Sequence, residues 1–216
     1  HCSGLDVTNF TLRGSAAKLG TGASTEFKLT DASNGQFGAV WNQTRLDLTK
    51  DFDINAQVYL GNKDGADGIA FVLQPLSTNQ GSTGGGLGYA GINPSFAVEF
   101  DTYDNGSADP TADHIAFMEN GNTTNHYGAY LVEMEDGAWR SVRFKWEAST
   151  KTMRFYLNGM LFEVADGQLR VVATDGHRLA TAIEDAQVSG DLTQVIVPRK
   201  GVLELNRLLA DSEETV

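Results

Sequence analysis

Through the first three-quarters of the chain, apolar and polar residues alternate in short runs that end in Gly, Asn or Asp. The clearest are residues 52–60 (FDINAQVYL), 68–73 (GIAFVL), 95–101 (SFAVEFD), 139–146 (WRSVRFKW) and 152–157 (TMRFYL). Period-two alternation puts successive side chains on opposite faces of a strand, and short runs with turn residues between them predict an antiparallel sandwich or barrel. No amphipathic helix is predicted before about residue 153. Beyond Asn158 the Gly-Ser-Asn clusters thin out, and Leu, Val, Ala, Arg and Glu take over. Residues 162–176 (FEVADGQLRVVATDG) are strand-like and lead into 177–186 (HRLATAIEDA). After Pro198, residues 199–210 place Val202, Leu205, Leu208 and Leu209 at helical spacing on one face. The pattern predicts an all-β part followed by an α+β part.

Composition narrows the function classes. At 41% hydrophobic and 20% charged the chain is ordinary for a globular protein, and 216 residues can bury a real core. No apolar run is long enough to span a bilayer. The formal charge of −12 argues against broad nucleic-acid binding, which needs a basic face to neutralise phosphates. It fits an exported protein or one that holds divalent cations. Cys2 is the single cysteine, so no internal disulfide is expected; a lipid anchor on it is a minor alternative. The chain opens on His1 rather than Met, which fits a removed leader or a trimmed start.

Oxygen ligands are densest between Glu99 and His114. In strand geometry Glu99 and Asp101 project from one face, two residues apart, an unfavourable pairing unless a cation sits between them. The loop that follows can return Asn105 and Asp109 to the same place. Calcium takes six to eight oxygens, whereas the imidazole of His114 suits a transition metal. The mixed set points to two adjacent ions sharing carboxylates. The plain alternative is a hairpin loop marked by Asp, Asn and Gly, with Glu99 exposed.

This segment resembles the metal-binding segment of the legume-type (L-type) lectins, in their bacterial form. The resemblance implies that Glu99 and His114 hold a transition metal such as Mn2+, with Asp101 and Asp109 bridging. It implies that the Tyr103 carbonyl and Asn105 complete a Ca2+ site. The loop between Asn105 and Asp109 is slightly shorter than in the plant proteins. Gly65-Ala66-Asp67-Gly68 resembles the family segment in which the Ala–Asp peptide is cis and the Asp accepts hydrogen bonds from two sugar hydroxyls. Ser82-Thr83-Gly84-Gly85-Gly86-Leu87-Gly88 resembles the glycine-rich loop whose backbone N–H, here assigned to Gly85, donates to the sugar. Asp67, Gly85 and Asn105, with Tyr103 as a stacking wall, then make a small polar site suited to a monosaccharide. Related glycosidases carry Glu-x-Asp-x-x-Glu on a strand; here Asp104 stands where the final Glu would be, leaving hydrolysis a weak alternative. His1 and His126 have no nucleophile partner in the sequence and are expected at the surface.

From about Phe155 the resemblance changes. Residues 156–162 (YLNGMLF), 172–179 (VATDGHRL) and 197–205 (VPRKGVLEL) are similar to the middle domain of a bacterial DNA polymerase sliding clamp. By that resemblance Leu157, Thr174, Gly176, His177, Arg178 and Leu179 would line part of a cleft for partner peptides, whose other wall lies in a domain absent here. The letters shared by the two families at residues 156–159 make a natural crossover, so the chain reads as a chimera.

These readings give a concanavalin-like antiparallel β-sandwich (jelly roll) over residues 1–157, lacking its usual last strands, and an α+β clamp-like fragment over 158–216. The expected function is calcium-dependent glycan binding without catalysis, with glycans or monosaccharides as partners and room for a homo-oligomer. A clamp fragment acting as a protein-interaction module is the alternative. The lectin part implies secretion, the clamp-like part a cytoplasmic location.

Overall fold

The computed structural model describes residues 8–185 other than 108, 111–112, 159, 166–167 and 175–178. The described residues form fourteen strands: β1 (Phe10–Gly14), β2 (Ala17–Leu19), β3 (Glu26–Lys28), β4 (Gly38–Asn42), β5 (Phe52–Val58), β6 (Gly68–Leu73), β7 (Phe96–Asp101), β8 (His114–Glu119), β9 (Tyr127–Leu131), β10 (Arg140–Glu147), β11 (Thr152–Leu157), β12 (Met160–Ala165), β13 (Gln168–Thr174) and β14 (Leu179–Asp185). Among the described residues the only helical pieces are two 3₁₀ turns, Gly22–Ser24 and Gly84–Gly86. Each alternating run predicted in residues 52–157 is a strand. The expected helix at 199–210 lies outside the described residues.

The chain divides into two compact units, residues 1–46 with 59–139 and residues 47–58 with 140 onward. In the first unit, β6, β7, β8 and β9 form a four-stranded antiparallel sheet in that order, beside the ribbons β1–β4 and β2–β3. Both faces of β7 are buried, which explains its near-continuous apolar sequence. Ala97 on β7 packs with Ala116 and Met118 of β8 under Leu87, Tyr89 and Ile92, so the segment after the glycine-rich turn covers that face of the sheet. Glu99 and Asp101 lie on the same face as Ala97, and that covering removes them from water.

The second unit is one six-stranded antiparallel sheet in the order β14-β13-β12-β11-β10-β5. Phe144, Phe155 and Phe162 sit opposite one another on β10, β11 and β12, with ring centroids 5.2 and 5.7 Å apart, and all three are buried. This cross-strand aromatic ladder is the centre of the unit's core. Arg143 grips Asp53 on β5 through Nε at 2.7 Å and through Nη2. The domain boundary expected at 157/158 falls inside this sheet, in the β11–β12 hairpin that pairs Leu157 with Met160. The strand-like stretch at 162–176 holds most of β12 and all of β13, and residues 179–185 add β14 to the same sheet.

Candidate metal and sugar site

Strand register builds the site. Asp101 lies opposite Gly68 on one side and His114 on the other, and Glu99 lies between Ala70 and Ala116. A single line across β6, β7 and β8 therefore joins the Ala66-Asp67-Gly68 segment to the carboxylates and the imidazole. Gly68 has a φ of 138°, and a Cβ there would sit 2.1 Å from the Phe100 carbonyl oxygen, so only glycine fits beside Asp67. The Ala66–Asp67 peptide is cis, as the lectin resemblance implies. The Asp67 carbonyl accepts the N–H of Thr102 at 2.9 Å, tying this segment to the end of β7.

Glu99, Asp101 and His114 are buried, at 1%, 4% and 1% exposure. An exposed Glu99, as a plain hairpin loop would have it, is thereby excluded. Tyr89 O–H donates to Glu99 Oε2 at 2.6 Å. The other oxygen, Oε1, lies 3.4 Å from His114 Nε2 and 3.2 Å from His126 Nε2. The same His126 nitrogen is 3.6 Å from Asp109 Oδ1. Glu99 Oε1 and His126 Nε2 are both buried and neither makes a hydrogen bond. Buried polar atoms are almost always paired, so two that face each other without a hydrogen bond fit a cation as their common partner. Glu99, His114 and His126 each offer one ligand atom within 4.8 Å of the others. The residues present fit a bound metal.

His126 corrects the sequence reading. It is 9% exposed, not a surface residue, and belongs to the cluster. Asn122 Oδ1 accepts the N–H groups of Thr124 and Asn125, and the turn they make feeds His126 inward just before β9. Residue spacing gave no hint of this, since Glu99 and His126 are far apart in the chain.

The loop after β7 closes on the same region. Tyr103 N–H donates to Asp101 Oδ1 at 2.8 Å, and Asn105 N–H donates to Asp109 Oδ2 at 2.7 Å. Asp109 thus presents one oxygen to Asn105 and the other to His126. Tyr103 is half exposed. A Cβ on Gly85 would sit 2.4 Å from Asn105 Oδ1, and one on Gly84 would sit 4.0 Å from Asp67 Oδ2. Asp67, the glycine turn and Asn105 are neighbours, as the resemblance implies. Asp104, at the place of the glycosidase Glu, is exposed and its Oδ1 accepts the N–H of Gly106.

Burial governs the charges. It pushes the Asp101 carboxyl up to about 6, partly opposed by the Tyr103 N–H and reinforced by the Glu99 and Asp109 charges. It raises Asp67 as well. Burial also opposes charge on Glu99, but the His114 and His126 rings, when they present a proton to it, and the Tyr89 hydroxyl hold that carboxyl below its ordinary value.

Of the six residues expected in a clamp-like cleft, Leu157 is buried at the end of β11, and Thr174 and Leu179 pair across β13 and β14. Gly176, His177 and Arg178 lie outside the described residues.

An antiparallel fold with buried carboxylates and imidazoles beside a cis Ala–Asp segment defines a lectin of the concanavalin-like β-sandwich class. The legume lectin β-barrel domain matches residues 7–186, and the chain belongs to that family. That family is one of binding domains rather than of enzymes. The basic winged bean lectin, solved with Tn-antigen, has the same fold, with a TM-score of 0.59 and 20% identity over 82% of this chain and 75% of that one. The pesticidal crystal protein Cry22Aa of Bacillus thuringiensis is 31% identical over 160 residues, 62% of this chain and 22% of that protein. The β sliding clamp of Pseudomonas aeruginosa is 56% identical over 75 residues, 34% of this chain and 20% of that protein. The chain therefore spans about a fifth of the length of these two relatives. It combines lectin-type and clamp-type sequence.

Proposed function

We propose that this chain binds glycans in a calcium-dependent manner through Asp67, Gly85 and Asn105, with Tyr103 as an aromatic wall. The observation that carries the reading is the convergence of Asp67, the Gly84-Gly85 turn and Asn105, three segments distant in sequence, at one place beside the buried carboxylates. In this reading Asp67 accepts hydrogen bonds from two sugar hydroxyls, and the Gly85 N–H donates one. Asn105 is held by its own N–H bond to Asp109. Asp101, Asp109, Asn105 and the Tyr103 carbonyl would hold Ca2+, and Glu99 and His114 with the two aspartates a transition metal. Bound calcium supplies a fixed positive charge that locks the loop carrying Asn105 in place. A half-exposed aromatic ring and a few convergent polar groups suit a monosaccharide or a glycan end. Secretion accords with this reading, because free glycans and millimolar calcium are extracellular.

For the clamp-like sequence we propose a structural role here, with residues 158–185 supplying outer strands to the second sheet. The observation behind this is the unbroken hydrogen-bonded order from β11 through β14. A glycan array probed with the whole chain, with calcium and again with EDTA, tests the main reading. Binding to a restricted set of glycans that is lost in EDTA is expected. Binding that is unchanged by EDTA, or no binding at all, overturns it.

A further inference from the structure

We propose that His126 is a direct ligand of the transition-metal position, making it a site with two imidazoles that prefers zinc-class ions to Mn2+. Neither the lectin resemblance nor the sequence spacing assigns this residue a role. The geometry of four atoms supports it. Ligand atoms about 2.1 Å from one ion sit roughly 3.0 Å apart at right angles and roughly 3.4 Å apart at tetrahedral angles. The contacts among Glu99 Oε1, His114 Nε2, His126 Nε2 and Asp109 Oδ1 are 3.4, 3.2 and 3.6 Å, the spacing of groups arranged around an ion.

The tautomer of His126 gives a second, independent argument. Its Nδ1 lies 3.2 Å from the Thr124 carbonyl, an acceptor that cannot donate. Nδ1 therefore carries the proton, and in the neutral ring Nε2 presents a lone pair toward Glu99 Oε1. A lone pair facing a carboxylate oxygen at 3.2 Å, both buried and without a hydrogen bond, is repulsive unless a positive charge lies between them. A backbone carbonyl on the far nitrogen is also the usual way a metal-binding histidine is oriented. The alternative partner is a second proton, which would make His126 an imidazolium paired with Glu99.

Two neutral nitrogens change the preference of the site. Manganese is content with carboxylates and water, whereas imidazole suits zinc, copper and nickel, and affinity rises from manganese, the weakest binder, through cobalt and nickel to copper before falling back at zinc. A site with Glu99, Asp109, His114 and His126 should bind Zn2+ far more tightly than Mn2+. The calcium ligands assigned above, Asp101, Asp109, Asn105 and the Tyr103 carbonyl, do not include His126, so calcium affinity serves as an internal control.

The test uses the whole chain stripped of metal. Titration calorimetry with ZnCl2, MnCl2 and CaCl2 should show zinc binding at least about 100-fold tighter than manganese, with a separate calcium event. His126→Gln should weaken zinc by about 100-fold or more, beyond the 10–100-fold typical of losing an outer partner, while calcium is held within about twofold. Zinc X-ray absorption on the parent chain needs no variant and should report two imidazoles. Manganese binding as tightly as zinc, one imidazole or none around zinc, or unchanged zinc affinity in a folded His126→Gln would each overturn the proposal and leave the imidazolium reading. Because glycan binding is not the readout, failure here is distinguishable from failure of the sugar site.

Discussion

Tyr89 donates its hydroxyl proton to Glu99 Oε2 at 2.6 Å, which ties the segment following the glycine-rich turn to the carboxylate at the centre of the cluster. The bond occupies one carboxylate oxygen and turns the other toward the two histidines. Tyr89→Phe leaves Oε2 buried with no donor. We expect metal-free stability to fall by about 1–3 kcal/mol. The zinc affinity should drop about tenfold, as for loss of an outer partner. Chemical denaturation in EDTA and zinc calorimetry check the two effects separately.

The same turn sets a steric limit. Because a Cβ on Gly85 would lie 2.4 Å from Asn105 Oδ1, Gly85→Ala must displace the Asn105 amide. Glycan affinity should be lost, and calcium affinity should fall as well, since Asn105 is assigned to both. If glycan binding survives in calorimetry, Asn105 is not where the sugar docks.

Asp67→Ala separates the two ligands. Two hydrogen bonds to a charged carboxylate are worth about 3 kcal/mol together, so glycan binding should weaken on the order of 100-fold. Calcium affinity should stay near the parent value, because the side chain of Asp67 is not among the assigned calcium ligands. Parallel calorimetry with calcium and with a glycan taken from the array reads both. Loss of calcium alone would reverse the assignment.

Asp101 gives a pH signature. Its folded carboxyl titrates at about 6, above its unfolded value, so without metal the folded state holds this proton more tightly. The linkage sign follows: this group's cost to folding is absent near pH 4, grows as pH rises toward 6, and is complete above that. Asp101→Asn should therefore raise metal-free stability at pH 7 by on the order of 1–3 kcal/mol, with the gain shrinking toward pH 4. Calcium binding should be abolished in the variant, and in the parent it should weaken as pH falls below about 6. Thermal melts in EDTA across pH 4–8 check the first claim, and calcium titrations across the same range the second. A variant less stable than the parent at pH 7 would mean that Asp101 is not strained by its burial.

Phe155 is the middle ring of the aromatic ladder and is fully buried. Phe155→Ala should cost about 3–5 kcal/mol. Denaturant titration measures the loss, and a change under about 1 kcal/mol would mean the second unit adds little to overall stability.

Much of this molecule could be read from the order of its residues, where one face of a strand is buried and the other is not. Residues 52–60 and 152–157 alternate because their strands do, and β5 and β11 followed. Strand β8 (HIAFME) gave no such signal: it is buried on both faces and reads as an apolar run. The carboxylate pair on β7 was legible because its two residues share a strand face. His126 was not, because its position depends on an Asn122 turn and on the irregular pairing of β8 with β9 between Ile115 and Phe117. Those are tertiary facts. Residues 177–186 carried no assignment of their own in the sequence, and 179–185 pair in register with β13 as β14.

The hairpin at Leu157 and Met160 bears on how such a chain could arise. Between them lies Asn-Gly, the dipeptide that favours the tightest reversal of a β-chain, and Asn158 has a left-handed φ of 48°. A reversal of that kind fixes the register of whatever follows through its own backbone, and leaves the incoming sequence to alternate and to place an apolar side chain opposite Phe155, as Phe162 does. Recombination at this point could therefore join unrelated ancestors without rewriting the partner strand. Gene fusions that break elsewhere in a sheet would have to match register as well as side chains across it, and far fewer would survive selection for folding.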